Sequence, residues 1–190
     1  MPASTSPVHV MVDIKTAGSA PDAVILAIGA VTFGRDPGLE PETSFDLLDM
    51  GQQLANGRSV DADTLAWWLQ QRPAVRDAMF SGGRLFLRDV LEDFASWVAC
   101  VNATHIWCKS ASLDFSILAH AYRQYGLERT WDFRCEHDAR TLYRLAGIKP
   151  VVPDGLQRDA LADARAQANA VGSALEKLDA WGRFELEGGK

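Results

Sequence analysis

The run Ala23–Phe33 (AVILAIGAVTF) constrains this chain more than any other segment. It is apolar at odd and even positions alike, so a strand built from it needs cover on both faces. That demands a sheet sandwiched between other layers. The runs beside it fit: Val8–Ile14 (VHVMVDI) is rich in β-formers, and Thr43–Asp49 can return as a third strand after the turn GRDPGLEP. Tight connections make these three an antiparallel meander. The pattern then becomes helical. Asp63 is positioned to cap Thr64–Gln71, Pro73 precedes a short helix over Ala74–Met79, and Leu87, Val90, Leu91, Phe94, Val98 and Val101 recur at helical spacing across 85–101. His105–Cys108 reads as a strand and Asp114–Tyr125 as a helix. Thr130–Phe133 reads as a last strand and Asp138–Ala146 as a helix. A Pro/Gly connector (IKPVVPDG) leads to an Ala-rich helix over 159–181. The order βββαβαβα specifies an α/β fold, a mixed β-sheet with helices on both faces.

At 190 residues there is room for one domain, expected over 8–181, with 1–7 and 182–190 as flexible tails. Nineteen basic against 25 acidic residues leave a net charge of -6, which disfavours coating of DNA through many phosphate contacts but not admission of one strand end to a pocket. Cys100, Cys108 and Cys135 form no CxxC pair and suit buried thiols in a cytoplasmic protein. The N-terminus lacks a basic secretory segment, and the run Val24–Phe33 is about half a bilayer span, so no membrane partner is expected.

Three aspartates fall where chemistry is commonly placed: Asp13 at the end of the first strand, Asp114 where IWCKSASLD opens into a helix, and Asp163 in the first turns of the last long helix. Each alone is read as readily as a cap. In order, with the segments HVMVDIKTAG, DTLAWWLQQRPAVRDAMF, SLDFSIL, RCEHDARTL and RDALADA, they resemble the DEDD 3′–5′ exonucleases of the RNase H-like fold. The likeness is greatest to the short single-domain DEDDh branch of phage-encoded exonucleases and small exoribonucleases, and runs from about residue 8 to 175. It implies two-metal hydrolysis of DNA or RNA from the 3′ end with Mg2+ or Mn2+. Asp13, Asp114 and Asp163 would be the metal-binding carboxylates, and a histidine would serve as general base. Single-stranded or 3′-overhang nucleic acid is the implied partner. The oligomeric state stays open, a dimer included.

Two positions depart from the family pattern. The motif Glu is Lys15 and the motif His is Arg158. An ammonium about 4 Å from a divalent ion repels it by roughly 8 kcal/mol at an effective dielectric near 20, less if the lysine turns toward solvent. Metal binding is therefore expected to be weak. Arginine stays protonated, so Arg158 cannot take a proton from water, but its guanidinium can grip a phosphate. Lys109 adds a cation beside the presumed cleft, and Thr16 follows the first motif closely enough to meet the strand. Of the adjacent Trp67 and Trp68, about 100° apart on a helix, one belongs in the core and one at the rim. Trp68 is the ring assigned to strand contact. His137 is a conceivable substitute base, though a structurally satisfied histidine is the simpler reading. Glu136, Asp138 and Asp159 are conceivable substitute carboxylates. The expected function is that of an exonuclease-family protein with a degraded site and weak or absent activity. The alternative is an inactive nucleic-acid-binding or protein-interaction module on the same scaffold.

Overall fold

The computed structural model describes residues 7–34, 42–45, 48–81, 85–155 and 158–185. Its sheet has five strands in the order β3-β2-β1-β4-β5: β1 (His9–Thr16), β2 (Ile25–Phe33), β3 (Glu42–Phe45), β4 (His105–Cys108) and β5 (Glu136–Asp138). The first three form the expected antiparallel meander, while β4 and β5 join parallel to β1. All nine residues of β2 are buried, as a strand apolar on both sides requires.

Alternation along β1 divides the core. Val10, Val12 and Ile14 face a layer formed by α4 (Leu87–Cys100) and α5 (Ala111–Gln124), through Val90, Leu91, Phe94 and Leu118. Met11 faces the other way, with Val31 and Phe33, onto α6 (Ala139–Ala146) and α7 (Ala160–Lys177). Alanines line the buried side of α7 and let it approach closely. At Gly29 the approach is closest: a Cβ there would lie 2.4 Å from the carbonyl carbon of Ala160 and the nitrogen of Leu161. Gly29 pairs with Asp13 across β1 and β2, so the start of α7 is seated directly beside that carboxylate. A satellite cluster of Ala17, Val24, Leu26 and Trp68 holds α2 (Ala62–Leu69) and α3 (Pro73–Phe80) against the end of β1.

Several elements differ from the sequence expectation. β1 runs on to Thr16, with a bulge between Lys15 and Thr16, so Asp13 lies within the strand and not at its end. The described part of the third strand is Glu42–Phe45. Asp49 caps a helix that was not foreseen, α1 (Met50–Ala55), and residues 46–47 lie outside the described set. Asp61, not Asp63, caps α2 by accepting from the Thr64 amide. Residues 130–133 are not a strand. Trp131 is drawn into the core edge-on to Phe94 and Tyr122, and Asp132 caps a 3-10 turn over Phe133–Cys135. Pairing begins only at Glu136. The last helix breaks at Leu178, Asp179 takes a left-handed backbone (φ 47°), and the short α8 (Trp181–Glu185) brings Trp181 edge-on to His9. Part of the expected C-terminal tail is therefore helical. Residues 1–6 and 186–190, and most of the turn GRDPGLEP, lie outside the described residues. Among the described residues no helix is long and apolar enough to cross a membrane.

Candidate active site

Strand β1 delivers Asp13 and Lys15 to one face, because residues two apart on a strand point the same way. Helix α7 crosses that face and delivers Asp163 and Gln167, four apart and on one side of the helix. The four side chains meet. Lys15 Nζ donates to Asp13 Oδ2 at 2.6 Å and also to Asp163 Oδ2. Gln167 Nε2 donates to the other Asp13 oxygen, Oδ1, at 2.7 Å. Lys15 is only 8% exposed, so its head group is not turned toward solvent as a flexible surface lysine would be. Burial alone would depress the lysine, but the two carboxylates outweigh it and hold Lys15 above the ordinary range. Burial pushes Asp13 up against the opposing pull of Lys15.

Asp114 stands in the first turn of α5, where its Oδ2 accepts from the Ser110 amide at 3.1 Å. Burial, then the charge of Asp13, push it up to about 7. Asp114 is thus near Asp13 electrostatically without joining the contact around Lys15. The adjoining cleft has a volume of about 240 Å³ and is lined by Asp13, Lys15, Lys109, Arg158, Asp163 and Gln167, with Pro150 and Val152. Its charged lining is two carboxylates against three cations.

Arg158 is exposed, has a left-handed backbone (φ 75°), and lays its guanidinium over the ring of Trp67 at 4.8 Å from the centroid. The assignment of Trp68 to strand contact is corrected here. Trp68 is 2% exposed, and its Nε1 donates to the Thr16 carbonyl, tying α2 to the end of β1. The rim ring is Trp67, 39% exposed. A buried indole N–H is stabilised by an acceptor, and beside a strand end the nearest is a backbone carbonyl. The Thr16 hydroxyl is turned into its own loop, donating to the Gly18 carbonyl at 2.7 Å. Lys109 is exposed at the mouth of the cleft.

The conceivable substitutes are committed elsewhere. Asp138 caps α6 and also accepts from the Ala111 amide, Asp159 caps α7, and Glu136 pairs with Arg129 and accepts from Trp131 Nε1. His137 sits 3.0 Å from His105 and against Trp107, in an aromatic group with His9. Gln167 was missed in the sequence. Its spacing of four from Asp163 was the available signal.

A two-metal centre does not fit this arrangement. Hard divalent ions need converging oxygens. Here an ammonium bridges Asp13 and Asp163, and an amide donor takes the remaining oxygen of Asp13. Among the described residues no group of three or more His, Cys, Asp or Glu side chains is placed to hold a metal ion.

The sheet order, the helical layers and the aspartates on β1, α5 and α7 define an RNase H-like fold of the DEDD 3′–5′ exonuclease type. The chain belongs to the 3′–5′ exoribonuclease Rv2179c-like domain family, which matches residues 8–175. Its fold is similar to that of E. coli Exonuclease I in complex with a 5cy-dT13 oligonucleotide, with a TM-score of 0.56 at 13% identity. That match covers 95% of this chain but only 42% of the Exonuclease I chain. No curated protein matches.

Proposed function

We propose that this chain, acting as a single domain over 8–181, receives the 3′ end of a single-stranded or 3′-overhanging nucleic acid in its cleft and has lost most or all two-metal hydrolysis. The contact of Lys15 Nζ with both Asp13 and Asp163 carries this reading. The ammonium takes up the charge that a divalent ion would meet, and Arg158 offers no neutral base. Lys109 and Arg158 are suited to a terminal phosphate, with the guanidinium able to engage two oxygens at once. Trp67, 39% exposed beside Arg158, offers a ring for stacking at the cleft rim. RNA is the first strand to try, from the family's description as exoribonucleases, and the bound oligonucleotide of Exonuclease I makes DNA the second. Unbridged Cys100, Cys108 and Cys135 support a reducing compartment such as the cytoplasm.

The test pairs single-turnover digestion of end-labelled RNA and DNA, with Mg2+ and with Mn2+, with fluorescence titration of the same strands in chelator. Binding in chelator without cutting is the expected result. Robust cutting would restore the family's hydrolytic activity to this chain, and neither binding nor cutting would leave a protein-interaction role.

A further inference from the structure

We infer that Lys15 is a built-in counter-ion, occupying the place of a divalent cation between β1 and α7, so that the fold neither needs nor takes up metal there. The inference uses the contact that supports the strand-end reading, but it concerns stability and not ligand binding. Its test is separate.

The two carboxylates come from positions 148 residues beyond Lys15 and two before it, on a strand and on the helix that crosses it. Nothing in the local chain requires them to meet. Gly29 lets the first turn of α7 rest on the sheet, and this forces Asp163 toward Asp13. Two carboxylates brought together behind a buried wall repel each other and lose water. Something positive must lie between them. In this chain it is covalently attached, at 8% exposure, with Nζ donating to one oxygen of each. The second oxygen of Asp13 is satisfied by Gln167. An entering metal ion would have to expel the ammonium before gaining the two oxygens that it holds, and Gln167 would still occupy the other oxygen of Asp13.

Removing the ammonium should therefore expose a demand for a cation that the unaltered chain does not show. The full chain is melted in chelator and in millimolar Mg2+ or Mn2+, beside Lys15→Met, which keeps the length of the side chain and loses its charge. The unaltered protein is expected to melt within about 1 °C under all conditions, as a fold without a saturable site does. Lys15→Met is expected to melt about 6–20 °C lower in chelator, the consequence of a buried partner left unpaired. Mn2+ should then return about 5–10 °C, and adding Asp163→Asn to the variant should abolish that return.

An unchanged melting temperature in Lys15→Met, or a loss that no divalent ion relieves, would overturn the inference. If Lys15→Met fails to fold, Mn2+ titration of the unaltered chain followed by electron paramagnetic resonance decides. The free-ion signal should persist. Uptake of one Mn2+ per chain that Asp13→Asn removes would overturn the inference. Strand binding enters none of these measurements, so either reading can fail while the other stands.

Discussion

Residues two apart on a strand share a face, so Lys15 lies on the face of Asp13, and on the reading proposed above it puts a positive charge where the motif Glu would offer a ligand. Had Lys15 been on the neighbouring face, it would have been buried among Val12 and Ile14, beneath α4 and α5, and could not have reached Asp163. The second departure, Arg158, sits at the cleft rim with a left-handed backbone that histidine tolerates. Repair should therefore be feasible at both positions without rebuilding the scaffold. Lys15→Glu with Arg158→His is expected to restore metal-dependent 3′–5′ cleavage, measured on end-labelled RNA and DNA with Mg2+ and Mn2+. Lys15→Glu alone should show at most a trace, since a general base contributes about 10²–10⁴-fold. Arg158→His alone should show none, and the two effects should be far from additive. A folded double variant that cuts nothing would mean that Gln167, or another neighbour of Asp13, also blocks the site. The aspartates and both departures were legible as positions in a pattern. The inward set of Lys15 and the role of Gln167 were not, because they depend on how closely α7 lies on the sheet.

That closeness belongs to the elements. Gly29→Ala would drive a methyl into the backbone at Ala160 and Leu161, which cannot yield as a flexible side chain can. A stability loss of at least about 1–3 kcal/mol is expected by thermal or urea unfolding, together with weaker strand binding as Asp163 shifts. At the other end of the same face of β1, His9 stacks on His105, accepts from Trp107 Nε1, and is held down to about 3 by burial, then by the charges of His105 and His137. Its folded-state pKa lies below the unfolded value of about 6.5, so the unfolded chain takes up a proton that the folded chain refuses. The contribution is absent above that value and destabilises progressively as pH falls toward 3. Asp114, raised to about 7, works in the opposite direction over part of this range, so the comparison must be with a variant. The stability of His9→Phe relative to the unaltered chain should rise by about 1.4 kcal/mol per pH unit between about 6 and 4, read from urea unfolding curves. A flat difference would show that His9 is already protonated in the fold. β2 and the meander were readable because burial on both faces leaves an unbroken apolar run. The last strand was misplaced because Thr130–Phe133 has β-rich composition but serves the core through Trp131, while Glu136–Asp138 pairs beside β4 despite its polar residues. Backbone pairing, unlike apolar burial, leaves little trace in side-chain type.

Over the whole molecule, a net charge of -6 surrounds a cleft whose charged lining is two carboxylates and three cations. Of those cations Lys15 is already neutralised by the carboxylates it joins, so on the proposed strand-end reading Lys109 and Arg158 are the ones to meet phosphates. The rest of the surface repels a polyanion on balance, so a bound strand should be held at its end and not along its length. This sets a quantitative expectation. Each phosphate neutralised on a single strand contributes about -0.7 to the slope of log affinity against log salt, so the slope should be near -1.4. Arg158→Ala should reduce its size by about 0.7, and Lys109→Ala should do the same. Fluorescence anisotropy of labelled RNA across a salt series, in chelator throughout, measures all three slopes. A slope steeper than about -3 would require at least four phosphate contacts and hence an extended track outside the cleft. Equal slopes before and after both substitutions would remove Lys109 and Arg158 from the interface and with them the strand-end geometry. The two-cation value follows only if Lys15 is spent inside the protein, so the salt series also reports, through binding alone, on where that ammonium points.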